Sequence, residues 1–269
     1  MTEIRNCPLC SNNNSKSPRI KYSEAQWDLK TCSNCGFTYL ENAPEYSCLE
    51  EEYAWEKTSQ KEEEARIGKS PLRKKFSSYM KVVRDKVFKR DKLIDLFQQY
   101  EINGNVLDIG CATGDIFYRL AKTITPFGVE ISKYLADIAN KLMKPRRGYT
   151  VSNNAVDGCA KFPDDFFDAA ILSAFLEHEV NPEKLLKNLH NVLKENGLVV
   201  IKVPNYNSWM RIFRQKNWSG FRYPDHVNYF TPASMTKLIT KCGYSIKQFG
   251  FFDRFPLNDN LWIVIQKKS

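Results

Sequence analysis

From Val106 onward, short apolar runs alternate with segments whose apolar positions recur at three- and four-residue spacing. Asn105–Ile109 reads as a first strand, and Asp115–Lys122 as a helix carrying Ile116, Leu120 and Ala121 on one face. Phe127–Glu130 reads as a second strand, Lys133–Met143 as the next helix, Tyr149–Ser152 as a weak third strand and Asp168–Ser173 as a strongly apolar fourth. A helix follows from Pro182 to Glu195, with Asn181 suited to its N-cap, Pro182 to its first position and Gly197 to its stop. Leu198–Val203 is a fifth strand. Thr231-Pro232 opens a helix to Cys242 that Gly243 ends, and strands at Ser245–Phe252 and Leu261–Gln266 finish the pattern. Strands alternating with helices predict an α/β fold with a mostly parallel sheet covered by helices on both faces.

Upstream the pattern changes. Residues 1–50 are polar, show little periodicity and hold two cysteine pairs, so they read as a separate small lobe. Residues 51–100 read as a helical linker or lid: a charged stretch from Glu50 to Arg66, then an amphipathic segment with Phe76, Met80, Val83 and Val87 at helical spacing. Asn103-Gly104-Asn105 is the turn that closes it, and residues 101–269 form the large domain. Within that domain Asn205–Phe230 breaks the alternation. It mixes Trp209, Phe213, Trp218, Phe221, Tyr223, Tyr229 and Phe230 with Arg211, Arg214, Lys216 and Arg222. A connection of that length is usually functional, and it starts at a strand's carboxyl end, where open α/β sheets bind ligands. Its aromatic rings suit either stacking on a sugar or base, or the packing of a lid.

The turn Asp108-Ile109-Gly110-Cys111-Ala112-Thr113-Gly114 joins the first strand to the first helix. Gly110 allows a sharp turn and a close ligand approach, and Gly114 would open a helix whose amides face an anionic group. The turn lacks the Gly-Lys-Ser/Thr of a phosphate-binding loop. Glu130 follows Gly110 by twenty positions, a spacing suited to a carboxylate that accepts hydrogen bonds from ribose hydroxyls. Taken alone, the loop also fits a dehydrogenase.

Val106–Gly114, then Phe166–Ile171, Leu176-Glu177-His178 and Leu193–Leu198 through Pro204-Asn205 resemble, in order, the motifs of class I S-adenosylmethionine-dependent methyltransferases. The resemblance covers about residues 100–269 and implies a seven-stranded Rossmann-like sheet. By position it implies that Asp108 and Gly110, with Cys111 and Gly114 in the same loop, shape the pocket beside the methionine moiety. It further implies that Glu130 binds the ribose, that Ile131 packs on the adenine, and that Asn154, Ser173 and Ala174 line the adenine and sulfonium ends. Ser152-Asn153-Asn154 stands where the family usually has a Gly-Asp pattern. The side chain of Cys111 reads as a small buried filler.

Cys7-Pro8-Leu9-Cys10 and Cys32-Ser33-Asn34-Cys35 are two Cys-x-x-Cys knuckles separated by twenty-one residues. Four thiolates at this spacing close a tetrahedron on zinc, worth roughly 10 kcal/mol or more of folding energy to a lobe with little apolar core. A redox pair is the alternative. A closed four-thiolate set leaves no open position, so the zinc is expected to be structural. Gly36 follows the second knuckle, where amides need room beside the sulfurs. With the helical linker containing Glu52-Tyr53-Ala54-Trp55, the order resembles bacterial zinc-ribbon methyltransferases, many of them linked to surface-polysaccharide or sugar metabolism.

Methyl transfer from a sulfonium needs positioning above all, and a base if the acceptor is a hydroxyl or an acidic carbon. His226 and His178 are the candidate catalytic residues. His226 ends the aromatic insertion in a Pro-x-His-x-x-x-Phe stretch that resembles the same methyltransferases, with Asp225 or another carboxylate to orient its ring. His178 follows the fourth strand with Glu177. Each has an alternative reading as a structural brace, and His190 reads as a packing residue. The net charge of +9 raises a nucleic-acid alternative. The basic excess sits between Arg66 and Lys92, around Arg73, Lys74, Lys75, Lys81, Arg84, Lys86, Lys89 and Arg90, and reads more simply as the solvated face of a packed helix. The expectation is a methyltransferase acting on a small molecule of sugar or glycan type. An RNA methyltransferase and a non-catalytic cofactor-binding module are the alternatives. The amino terminus has no apolar core, and Ala169–Leu176 is too short to span a bilayer, so a cytoplasmic location is expected.

Overall fold

The computed structural model describes residues 2–44 and 91–268. The basic amphipathic segment expected from Arg66, and nearly all of the expected linker, lie outside these residues. Four short strands begin the chain: β1 (Thr2–Ile4), β2 (Leu29–Thr31), β3 (Thr38–Leu40) and β4 (Asn42–Pro44). Helix α1 (Lys92–Gln99) precedes β5 (Gly104–Ile109), β6 (Ile124–Glu130), α2 (Lys133–Met143), β7 (Tyr149–Ser152), α3 (Ala155–Cys159), β8 (Phe167–Ser173) and α4 (Pro182–Val192). Then come β9 (Leu193–Pro204), α5 (Trp209–Arg214), β10 (Asn228–Tyr229), α6 (Pro232–Lys241), β11 (Tyr244–Gln248) and β12 (Asn260–Lys267).

The central sheet has seven strands in the order β11-β12-β9-β8-β5-β6-β7. Strands β5 to β9 pair in parallel, while β12 runs antiparallel to β9 and β11 to β12. Alternate side chains go to opposite faces, as the pleat requires. Leu107, Ile109, Ala170 and Leu172 join a core with Val156 of α3, Leu185 and Leu189 of α4 and Leu238 of α6. Val106, Ala169 and Ile171 pack on the other face with Leu93 and Phe97 of α1 and Ala139 and Met143 of α2. The expected fold, a mostly parallel Rossmann-like sheet covered on both faces, is therefore present. Strand β5 lies between β6 and β8, so the winding reverses at β5, and the carboxyl ends of β5 and β8 mark the switch point where open α/β sheets bind ligands.

Several expected boundaries move, each for a reason in the tertiary structure. Asp115–Lys122 is a 3-10 turn over Asp115–Tyr118 and no longer helix. The Arg146 guanidinium donates to the carbonyls of Phe117, Ala121 and Ile124, and so takes the Phe117 carbonyl that a continuing helix would have paired with the Ala121 amide. Helix α4 ends at Val192, before Glu195. Its last carbonyls, at Asn191 and Val192, accept from the amides of Asp165 and Phe166, and β9 starts at once, five residues earlier than expected. Asn181 occupies the N-cap without a side-chain bond to the helix; its own amide donates to Glu179 at 2.7 Å. Strand β11 stops at Gln248, because Asp253 accepts from the Gly250 amide and folds the next residues into a turn. By contrast α2 has the expected limits, and α6 opens at Thr231-Pro232 as expected, with Thr231 as its N-cap, and ends before Gly243 at a left-handed φ of 85°.

The amino-terminal lobe and the aromatic insertion share a sheet. Strand β10 of the insertion pairs antiparallel with β3, Asn228 opposite Tyr39 and Tyr229 opposite Thr38, and β3 pairs with β2. Leu29 packs with Trp218 and Tyr229, and Phe37 meets Phe230 at 5.3 Å between ring centroids. Trp218, Tyr229 and Phe230 are buried, so these rings pack into a core shared by the lobe and the insertion. Trp209 and Phe213 are the exceptions, 54% and 85% exposed. Among the described residues, no helix is long and apolar enough to cross a membrane.

Candidate active site

The glycine loop and Glu130 form one hydrogen-bonded unit. The amides of Ala112 and Ser132 each donate to the Glu130 carboxylate at 2.9 Å, which fixes its oxygens at the end of β6. Asp108 is buried at the end of β5; loss of solvation, then the charge of Glu130, pushes its carboxyl up to about 8. Gly110 has a left-handed φ of 72°, and its amide donates to the Val129 carbonyl at 2.8 Å. A Cβ at Gly110 would stand 2.3 Å from the Phe175 ring. The space without a Cβ is thus filled by Phe175, where the loop pattern predicted ligand approach. Gly114, at φ 77°, caps only the four-residue 3-10 turn, so the expected array of helix N-terminal amides is not built there.

Cys111 is buried, with Sγ 3.9 Å from Thr150 Oγ1, and burial pushes its thiol well above the ordinary value. A Cβ on Gly128 would come within 2.4 Å of that sulfur, so Cys111 fills the sheet surface, as expected of a small apolar side chain. Ile131 is half-buried directly after Glu130. Asn154 caps α3: its Oδ1 accepts from the Asp157 amide at 2.9 Å and its Nδ2 donates to the Asp157 carboxylate at 2.9 Å. Ser173 and Ala174 are exposed at the end of β8, with the Ala174 amide donating to the Lys202 carbonyl. Asp108, Glu130, Ser173 and Ala174 therefore stand at the carboxyl ends of three adjacent strands.

Just beyond β8 the chain brings His178 to His226, their rings edge-to-face with centroids 4.6 Å apart. His178 Nδ1 lies 2.9 Å from the Asp225 carbonyl and His226 Nδ1 2.8 Å from the Gly220 carbonyl. A carbonyl only accepts, so both Nδ1 atoms carry the proton and both Nε2 atoms carry a lone pair. The expected orienting role of Asp225 is corrected: its carboxylate faces Arg222, and its main-chain carbonyl serves His178. Burial, with the nearby Arg222 charge, brings His178 down to about 4, against its bond to Asp225. Burial, then His178 and Arg222, holds His226 well below the ordinary range. Glu177 is buried beside them and is pushed up to about 8 by desolvation. His190 lies elsewhere, packed edge-on against Tyr244.

Arg5 and Phe175 carried no signal in the sequence. Arg5 donates to the carbonyls of Leu40, Val180 and Val227 and to Asn228 Oδ1, joining the first lobe to both loops that carry the histidines. The Glu177 carbonyl accepts the amides of Val227 and Asn228, and Asn228 Nδ2 donates to the carbonyls of Leu176 and Glu179. His226 thus owes its position to the lobe as much as to its own loop.

The four knuckle cysteines converge, with one sulfur from each within 4.8 Å of the others. Cys7 and Cys35 sulfurs are 3.6 Å apart and Cys10 and Cys32 3.5 Å, with all four thiols free of disulfides. Sulfurs bound to one zinc at about 2.3 Å stand roughly 3.8 Å apart, so the donor set fits the ion. Burial opposes ionisation of Cys32, but the amides of Cys35 and Asn34 and the Asn14 side chain bring it to about 6.

The chain is 28% identical over 153 residues to an uncharacterised protein, MJ1123, of Methanocaldococcus jannaschii, covering 56% of this chain and 69% of that protein. It is 29% identical over 108 residues to the ubiquinone/menaquinone biosynthesis C-methyltransferase UbiE of Pectobacterium carotovorum, covering 37% of this chain and 42% of UbiE. The chain thus spans about two-fifths of the length of that relative. An S-adenosylmethionine-dependent methyltransferase from Clostridium acetobutylicum has the same fold, with a TM-score of 0.53 at 12% identity over 72% of this chain and 99% of that one. Residues 82–248, more than half of the chain, match the sequence model of the methyltransferase domain. The chain belongs to that methyltransferase family.

Proposed function

We propose that the enzyme transfers the methyl group to a small molecule of sugar or glycan type, with His178 and His226 at the acceptor end. The donor would lie across the ends of β5, β6 and β8. Asp108, Gly110, Cys111 and Gly114 would form its methionine side, Glu130 its ribose contact, Ile131 an adenine face, and Asn154, Ser173 and Ala174 the remaining wall. The acceptor's lone pair forms the new bond to the methyl carbon as the carbon–sulfur bond breaks, and the electron pair stays on sulfur as the neutral thioether. The acceptor proton is lost at the histidine pair. Holding donor and acceptor in line accounts for up to roughly 7–11 kcal/mol of the barrier.

The observation that carries this reading is the shared sheet of β3 and β10. His226 ends the loop that this pairing anchors and lies beside His178, just beyond the end of β8, which supports an acceptor position there. The lobe that builds this wall is held together, on this proposal, by a structural zinc on Cys7, Cys10, Cys32 and Cys35. The near-neutral lobe and the resemblance to sugar-linked zinc-ribbon methyltransferases support a sugar acceptor in the cytoplasm over RNA. The test is transfer of labelled methyl to a panel of nucleotide sugars, with quinol-type carbon acids and RNA alongside. Sugar labelling that falls in His226→Ala while donor affinity is kept supports the reading. Labelling confined to RNA and collapsing with added salt replaces it.

A further inference from the structure

Glu177, His178 and His226 form a second cluster with metal-ligating chemistry, unlike the cysteine site. One carboxylate oxygen of Glu177 and one ring nitrogen of each histidine lie within 4.8 Å of one another. Both rings are held through Nδ1 by main-chain carbonyls, at Asp225 and Gly220, which presents each Nε2 as a fixed lone pair. Metal-ligating histidines are held in this way, the second nitrogen setting tautomer and ring orientation. Glu177 is 1% exposed, and its Oε2 has no hydrogen-bond partner among the described residues. A buried polar atom without a partner costs free energy, which a cation would recover. Arg222, paired with the Asp225 carboxylate at 3.4 Å, and Lys202 are the charges facing the cluster.

We propose that Glu177, His178 and His226 bind one divalent transition-metal ion of the zinc or ferrous type. Two imidazoles and one carboxylate are a ligand set such ions accept, with positions left open for water or substrate. Donors on such an ion stand about 2.0–2.2 Å from it and roughly 3.4 Å from each other in a tetrahedron. Bringing donors that lie within 4.8 Å of one another to that spacing takes at most about 1.4 Å. Of the three ligands His178 is the half-buried one, so water or substrate would reach the ion from its side. This deepens the reading above, and its catalytic consequence rests on that placement of the acceptor. It narrows the acceptor class to molecules that offer an oxygen donor, because the ion would coordinate that oxygen and lower its pKa. The two Nε2 lone pairs then serve as ligands, and acidification of a coordinated hydroxyl takes the place of proton uptake by a ring.

The experiment is titration of the full-length protein as purified with Co2+, followed by visible absorption and metal analysis. The expected result is one equivalent bound without thiolate-to-metal charge transfer. Glu177→Gln and His178→Ala should each weaken it by more than about tenfold, since even groups that only orient a ligand are worth 10–100-fold. Donor binding by calorimetry in both variants shows that they fold. Absence of a thiolate-free equivalent, or one insensitive to both Glu177→Gln and His178→Ala, overturns the proposal. Co2+ bound and lost as expected, with no sugar methylated, upholds the metal site and removes the sugar reading. Sugar methylation with no Co2+ bound does the reverse.

Discussion

Replacing Arg5 by alanine tests whether the amino-terminal lobe holds the acceptor end together. Its guanidinium donates to the Leu40 carbonyl at 2.9 Å, Val180 at 2.8 Å, Val227 at 2.5 Å and Asn228 Oδ1 at 3.1 Å. These partners sit in the lobe, in the loop after β8 and at the end of the insertion, so one side chain bonds three separate segments. Hydrogen bonds to a charged group contribute about 1.5–3 kcal/mol each and do not add fully. Arg5 is half-buried, so water would partly replace it, and the expected cost is about 3 kcal/mol in total. For a chain of this size that lowers a melting temperature by roughly 6–12 °C. Turnover should fall further than stability alone explains, because Val227 adjoins His226, while donor affinity is kept because these four partners lie outside the glycine loop. Arg5→Lys should recover little, since one ammonium cannot span three directions. The assays are a thermal melt, calorimetry with S-adenosylmethionine and the methyl-transfer rate. A melt of Arg5→Ala within about 1 °C of the wild type, or donor affinity lost in step with turnover, refutes the reasoning.

Three further outcomes are expected. Asp108 is raised from 3.8 to about 8 in the fold, so the folded form keeps a proton that the unfolded form has lost. Its stabilising contribution is therefore complete below its ordinary pKa and lost as pH rises through about 8. The unfolding free energy of the donor-free protein, from urea melts, should drop between pH 5 and pH 9, with Asp108 contributing on the order of a few kcal/mol. Asp108→Asn should remove that share and leave the share of Glu177, which is also raised to about 8; an equal drop in the variant contradicts it. Gly110→Ala places a Cβ at a φ of 72° and 2.3 Å from Phe175, costing at least about 1–2 kcal/mol. Donor affinity should fall roughly tenfold or more, and unchanged calorimetry would count against the loop geometry. Cys32→Ser should lose bound zinc and unfold the lobe, because zinc supplies about 10 kcal/mol to such small domains; intact protein without zinc would sink the assignment.

The local pattern determined much of this fold. Helix α2 has its expected limits because a period of 3.6 residues and a cap at Ser132 are written in neighbouring residues. The same holds for the Thr231 cap of α6, the left-handed glycines and the two cysteine knuckles, whose geometry is set within a few residues of chain. Glu130 was legible because its distance from Gly110 is that of one strand–turn–helix–strand unit. Other features were decided only by the tertiary structure. Arg146 shortened a helix from across a turn, Phe175 took the space at Gly110, and Gly220 oriented a ring that Asp225 seemed placed to hold. Arg5 reaches Val227 across 222 residues of chain, and β10 pairs with β3 from the opposite end of the sequence. Periodicity and capping repeat along the backbone and so leave a trace in adjacent residues. A contact between distant segments follows from how whole elements pack, and no spacing in the sequence records it.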